Sequence, residues 1–232
     1  MSAHVRRVTT TRAGGVSAPP FDTFNLGDHV GDDPAAVAAN RRRLAASLGL
    51  GEDRVVWMNQ VHGDRVVVVD GPVPAAVEGT DGLVTVTPRL ALAVVTADCV
   101  PVLLADRAGR GVAAVHAGWR GVAAGIAGAA VRALGEDGIH PEELVAALGP
   151  AILGCCYTVG PEVLEAVGVA AIGPGKLDLH ARLTSQLRGA GVAAEAIHVA
   201  PWCTRCHPGL FFSYRREGDR AGRQMAVIGP SS

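Results

Sequence analysis

The chain has 232 residues, with 21 basic and 22 acidic side chains and 49% hydrophobic content, which is ample for a packed core and excludes a disordered chain. A formal net charge of −1 and 4% aromatics supply neither the basic excess that binds phosphate backbones nor the ring platforms that stack on single strands, so no nucleic-acid partner is expected. Thirty glycines and 14 prolines exceed the usual share and point to many tight turns.

In chain order, residues 5–10 have strand composition. Asp33 then caps a helix with Pro34 in its first turn, where a missing N–H costs nothing. That helix runs to about Leu48 and stops at Gly49, with Arg41, Arg42 and Arg43 on its outer face. Residues 55–69 hold two β-branched runs separated by Asn59-Gln60-Val61-His62-Gly63, and residues 83–86, 90–95, 100–105 and 111–116 read as short buried strands. Residues 121–134 are rich in small side chains at helical spacing. Segments at 145–148, 197–200, 211–214 and 224–228, with helices from Glu162 and over about 177–188, complete the elements. Strands cluster centrally and helices interrupt them irregularly, so the expected fold is α+β: a mixed β-sheet sandwich flanked by helices, one domain over residues 1–232.

Arg6, Arg7 and Arg12 stand near the start without an apolar run of signal-peptide length. The longest uncharged stretch, 144–161, is broken by Gly149-Pro150, Gly154 and Gly160, so no membrane helix and a cytoplasmic location are expected. Five cysteines, an odd number, favour thiols, metal ligands or a nucleophile over disulfides.

Three polar residues follow apolar runs and stand just ahead of Gly or Pro: His62, Cys99 and His116. Strand ends that open into turns present side chains from a rigid base. Two imidazoles and a thiolate suit Zn²⁺, and three protein ligands leave a fourth position for water or substrate, whose pKa the ion would lower. Spacing alone leaves open two structural histidines and a small buried cysteine, because the three match no short ligand motif.

Gln60-Val61-His62-Gly63, Thr96-Ala97-Asp98-Cys99, His116-Ala117-Gly118-Trp119-Arg120-Gly121, Gly149-Pro150-Ala151-Ile152 and Phe211-Phe212-Ser213-Tyr214-Arg215-Arg216 together resemble the laccase-domain family. So do Thr11-Arg12-Ala13-Gly14-Gly15, Asn25-Leu26-Gly27 and the run from His29 to Asp33, so that the likeness spans about residues 9–228. The family was long labelled multicopper polyphenol oxidase and later described as zinc-dependent purine nucleoside phosphorylase. The resemblance implies phosphorolysis of adenosine, inosine, guanosine and methylthioadenosine, adenosine deamination, and Zn²⁺ on His62, Cys99 and His116. The implied partners are therefore small molecules, purine nucleosides and phosphate; oligomeric state is left open.

Around this set, Asp98 is a candidate proton relay or orienter, with turn amides as its other use. Arg120, in a turn ahead of a helix, and Arg12, in a Gly-rich turn, are candidates for phosphate or base stabilisation. Trp119, Phe212, Tyr214 and Arg215 are expected at the border of the cleft. Asn59, a substrate-binding candidate, stands where the family resemblance leads one to expect a basic residue; if that position binds phosphate, this chain must use another cation or bind it less tightly.

Competing signals are weaker. A multicopper oxidase needs many histidines in His-X-His pairs, and this chain has 8 His with no such pair; copper could still enter the three-ligand site by substitution. Cys203-Thr204-Arg205-Cys206-His207 spells a haem-attachment pattern but is read as chance, with a dithiol or second metal site, joined by Cys155 or Cys156, as the lesser alternative. Cys155-Cys156 is otherwise read as packing near the site. Cys99 with His116 could also form a nucleophilic pair in a metal-free cysteine hydrolase or deamidase.

Overall fold

The computed structural model describes residues 5–230. From the N-terminus, β1 (Val5–Thr9) is followed by α1 (Pro34–Ser47), β2 (Val55–Val56), β3 (Val66–Val68) and β4 (Gly82–Thr85). The central run is β5 (Ala91–Thr96), β6 (Val100–Asp106), β7 (Val112–Ala117), α2 (Trp119–Ala124), α3 (Ile126–Glu136) and β8 (Leu144–Leu148). Then come β9 (Thr158–Val159), α4 (Pro161–Ala166), β10 (Gly175–Lys176), α5 (Leu179–Gly189), β11 (Ile197–Val199), α6 (Tyr214–Glu217) and β12 (Gln224–Pro230).

Two mixed sheets stack face to face, in the orders β11-β8-β6-β7-β4-β3 and β1-β12-β5-β2. Alternation along the strands builds three apolar layers. Leu92, Val94, Ala226 and Ile228 meet Leu103, Ala105, Val112 and Ala114 between the sheets. Val102, Leu104, Ala113 and Val115 face the other way, against Ile126, Ala130 and Leu134 of α3 and Leu183 and Leu187 of α5. Ala91, Ala93, Val95, Met225 and Val227 pack on Leu44, Ala45 and Leu48 at the α1 end. Every residue of β5, β6 and β7 is therefore buried, which is why these strands read as unbroken apolar runs. The expected α+β sandwich flanked by helices is the fold. Among the described residues no helix is long and apolar enough to cross a membrane.

Several local expectations need correction. Arg42 and Arg43 are exposed, but Arg41 turns inward, 3.8 Å from the Trp57 ring centroid and 3.1 Å from Asp28. It follows Val37 by four residues along the buried stripe of α1, so its stem has an apolar neighbour. The helix expected over 121–134 is two, broken at Gly125, whose φ of 81° is left-handed. Because α2 already starts at Trp119, Arg120 lies on a helix and not in a turn before one. Residues 211–213 form no strand, because the Gln224 side chain takes the partner's place: its Oε1 accepts from the Phe212 amide at 2.8 Å and its Nε2 donates to the Phe212 carbonyl at 3.2 Å.

Candidate metal centre

The two loops that carry His62 and Cys99 both pass from the four-stranded to the six-stranded sheet, β2 to β3 and β5 to β6. His116 lies near the end of β7, opposite Pro101 of β6. These crossings bring donor atoms of His62, Cys99 and His116 within 4.8 Å of one another. The two imidazole rings meet edge to face, with centroids 4.7 Å apart.

A fourth residue organises both histidines. The carboxylate of Asp81, fully buried at the entry to β4, accepts from the amides of Val61, His62 and Gly63 at 3.1, 2.9 and 2.7 Å. It also stands 2.8 Å from Nδ1 of His116. One carboxylate thus fixes the His62 turn, where His62 takes a φ of 62°, and orients the His116 ring so that Nε2 is its free donor. Burial opposes ionisation of Asp81, but the His116 ring and the Gly63 and Val61 amides overcome it and keep its pKa below the ordinary carboxylate value. Burial likewise pushes the Cys99 thiol up; the adjacent His116 and His62 rings outweigh it and hold the thiol down at about 6. Burial would lower His116, yet the Cys99 charge and the Asp81 bond raise it to about 9. The sulfur is therefore largely ionised at neutral pH, the form that ligates metals.

Gly118, the N-cap of α2, closes the space beside this group. A Cβ there would stand 3.0 Å from His62 Cδ2 and 3.1 Å from Cys99 Sγ. Its φ of −75° is ordinary, so the constraint is contact and not backbone strain. Gly118→Ala is expected to displace both side chains by a few tenths of an ångström and weaken metal binding by about tenfold, with little change in Tm. Metal titration of the purified variant measures this.

The group lies in a cleft of about 710 Å³, within the ~300–1,000 Å³ range of small-molecule sites. Trp57, Tyr157, Arg41, Arg215 and Arg223 line it, with Asn59 and Tyr214. Arg215 stacks on Tyr157 at 5.0 Å and spends one nitrogen on the Thr158 carbonyl, 3.0 Å away. Asn59 donates to Glu78 at 2.8 Å, and the Tyr214 hydroxyl to Asp219 at 3.1 Å.

A profile of the family described as "Multi-copper polyphenol oxidoreductase laccase" matches residues 6–231. The chain belongs to this laccase-domain family. Among its relatives, a purine nucleoside phosphorylase of Mycobacterium tuberculosis is 56% identical over 98% of this chain and 93% of that protein. One of Streptomyces griseus is 48% identical over 90% and 87%. Two proteins of known structure superpose closely. YlmD of Geobacillus stearothermophilus gives a TM-score of 0.93 at 38% identity, covering 98% of this chain and 92% of that one. YfiH of Bacillus licheniformis gives 0.91 at 36%, covering 97% and 92%.

Not every residue singled out in this laccase-domain chain reaches the cleft. Asp98 contributes to its wall, but its carboxylate is spent on the Thr204 hydroxyl and the Arg215 amide, each at 2.6 Å. It holds Arg215 in place. Arg12 is paired with Glu217 at 2.8 Å over the Phe212 ring; neither Arg12 nor Phe212 lines the cleft. Arg120 is exposed over Trp119, which packs against the main core. Asp81, Tyr157 and Arg223 were not singled out. Asp81 has a faint signal, a lone acid in Thr80-Asp81-Gly82 just before an apolar run, which reads as an ordinary turn residue.

Proposed function

We propose that this chain is a zinc-dependent purine nucleoside phosphorylase acting on adenosine, inosine, guanosine and methylthioadenosine, and that it also deaminates adenosine. The observation that carries the reading is the His62–Cys99–His116 group in a cleft walled by aromatic rings and guanidinium groups. The names of its relatives support the purine nucleoside phosphorylase part of the reading.

One thiolate and two imidazoles, with Asp81 behind one ring, fit a borderline-soft divalent ion and leave room for a further ligand. Copper could occupy the same donors, but 8 histidines without a His-X-His pair supply no multicopper centre. When bound, the ion supplies a Lewis acid and lowers the pKa of a water brought to it.

The remaining chemistry belongs to the chain. Trp57 offers a ring face to the purine. Asn59 is uncharged and engaged by Glu78, so phosphate falls to Arg215 and Arg223, whose guanidiniums line the cleft. In phosphorolysis a phosphate oxygen bonds to C1′ as the bond from C1′ to the purine nitrogen breaks, and the electron pair leaves with the base. Burial raises the Tyr157 phenol above its ordinary value, so it keeps its proton at neutral pH and serves as donor to the departing base. In deamination, water replaces the C6 amino group and ammonia leaves.

Zinc-loaded protein is expected to release hypoxanthine from inosine only when phosphate is present, and to stop on chelation. Phosphorolysis by the metal-free protein, or none by the zinc-loaded one, would overturn the reading. Turnover that survives chelation but ceases at once with iodoacetamide would assign the cleft to a cysteine hydrolase.

A further inference from the structure

Cys155 and Cys156 follow β8, and Cys203 and Cys206 follow β11, yet their four sulfurs lie within 4.8 Å of one another. We infer that they form a second metal centre, a tetrathiolate site for one Zn²⁺ that ties together the two loops behind the substrate cleft. The inference is independent of the proposed reaction.

The spacing favours an ion over its alternatives. Cys206 Sγ stands 3.8 Å from Cys155 and 3.3 Å from Cys156. A tetrahedral ion with Zn–S bonds of ~2.3 Å places its sulfurs about 3.8 Å apart, whereas a disulfide joins them at ~2.05 Å. One sulfur close to two others is what a shared central ion requires; disulfides would join them in separate pairs. An iron–sulfur cluster must fit several irons and sulfides between its ligands, and four sulfurs this close leave room for a single ion. Among single ions, four thiolates suit zinc, which outranks ferrous iron on such donors.

The surroundings are those of a ligand loop. The Leu153 amide points at Cys203 Sγ at 3.5 Å, and amide-to-sulfur bonds support charged thiolates. The Lys176 ammonium donates to the Cys155 carbonyl at 3.2 Å, beside the net negative charge such a centre carries. His207 stands outside the four-sulfur group: its Nδ1 contacts the Cys203 carbonyl at 2.8 Å and its ring packs on Trp202. With both sulfurs on an ion, Cys203 and Cys206 would have no thiol left for haem attachment. Binding exchanges each thiol proton for a share of the ion, so four protons leave and no electrons move. The odd cysteine total then resolves: of five, four hold this centre and Cys99 serves the other.

Its place in the fold gives it a consequence. Thr204, next to Cys203, donates its amide to the Ala151 carbonyl at 2.9 Å and its hydroxyl to Asp98 at 2.6 Å. Tyr157, next to Cys156, lies under Arg215. The centre therefore clamps the wall that carries Tyr157 and Arg215 without entering the cleft.

The test uses the full chain with Cys99→Ala, which removes a ligand of the first site and none of the second. Purified with zinc in the medium, it is expected to hold one zinc per chain. Its cobalt-substituted form is expected to show the intense sulfur-to-cobalt absorption of four thiolates. Adding Cys203→Ser and Cys206→Ser should remove both signals and lower Tm by at least about 5 °C. Should that variant not fold, a mercurial thiol reagent added to the Cys99→Ala chain should release its zinc in step with four thiols. A Cys99→Ala chain that holds no zinc, a mass lowered by lost thiol hydrogens, iron in place of zinc, or zinc retained after Cys203→Ser/Cys206→Ser overturns the proposal. Because the readout is metal content, these results stand apart from whether any nucleoside is cleaved.

Discussion

The Cys99→Ala chain is expected to fold, to lose the ion held with His62 and His116, and to drop in kcat/KM for inosine phosphorolysis by at least ~10³-fold. Cys99 is the one thiolate of the group, with its pKa down at about 6, and alanine offers no donor. Gly118, packed directly against the Cys99 sulfur, brings no side chain that could take its place. Folding survives because only a sulfur is removed from a half-buried turn, at a cost of about 1 kcal/mol. The core beneath that turn is built by β5, β6 and β7. Cys99→Ser serves as the shape control: it restores the volume but presents a hydroxyl that does not ionise, and it should be nearly as inactive. Metal analysis, a thermal melt and the phosphate-dependent assay read the three parts separately. Full activity with one fewer ion per chain would show that the ion is not part of the chemistry.

The buried strands were readable because burial on both faces erases polar alternation, leaving runs such as Ala91–Thr96 and Val100–Asp106. The three apolar layers were less readable, since a residue such as Leu103 carries no mark of whether it faces a sheet or a helix. The three candidate ligands could be named because each ends an apolar run at a turn and the surrounding motifs resemble a family. What stayed hidden depends on contacts between distant segments. Arg41 shares its spelling with Arg42 and Arg43, and only Trp57 and Asp28 distinguish it. Arg12 sits in a turn rich in glycine that suggests an anion site, but Glu217 takes its charge. The cysteine pairs at 155–156 and 203–206 already offered a second metal site as a lesser alternative, but nothing in either pair shows that they meet; the parallel pairing of β8 with β11 is what brings their loops together.

Asp81 is the residue whose loss should cost the fold and the centre together. Asp81→Asn keeps the shape but replaces one acceptor oxygen by an amide donor, facing a site where three backbone N–H groups and the His116 ring all need acceptors. At least one buried amide is then left facing another donor. With the charge also gone, the expected loss is about 3 kcal/mol, or roughly 6–12 °C in Tm for a chain of this size. Metal affinity should fall by at least the ~10–100-fold typical of losing a carboxylate behind a ligating histidine, because the same carboxylate also fixes the turn that presents His62. The two variants then separate by rescue. In Asp81→Asn all three ligands remain, so excess zinc should restore much of the activity; in Cys99→Ala a ligand is missing, and excess zinc should restore little. If Asp81→Asn melts like the wild type and binds zinc as tightly, the carboxylate is a passive acceptor, and the His62 turn must be held by its other bond to the sheet, the Gln60 side chain paired with the backbone of Val95 at 2.8 and 2.9 Å.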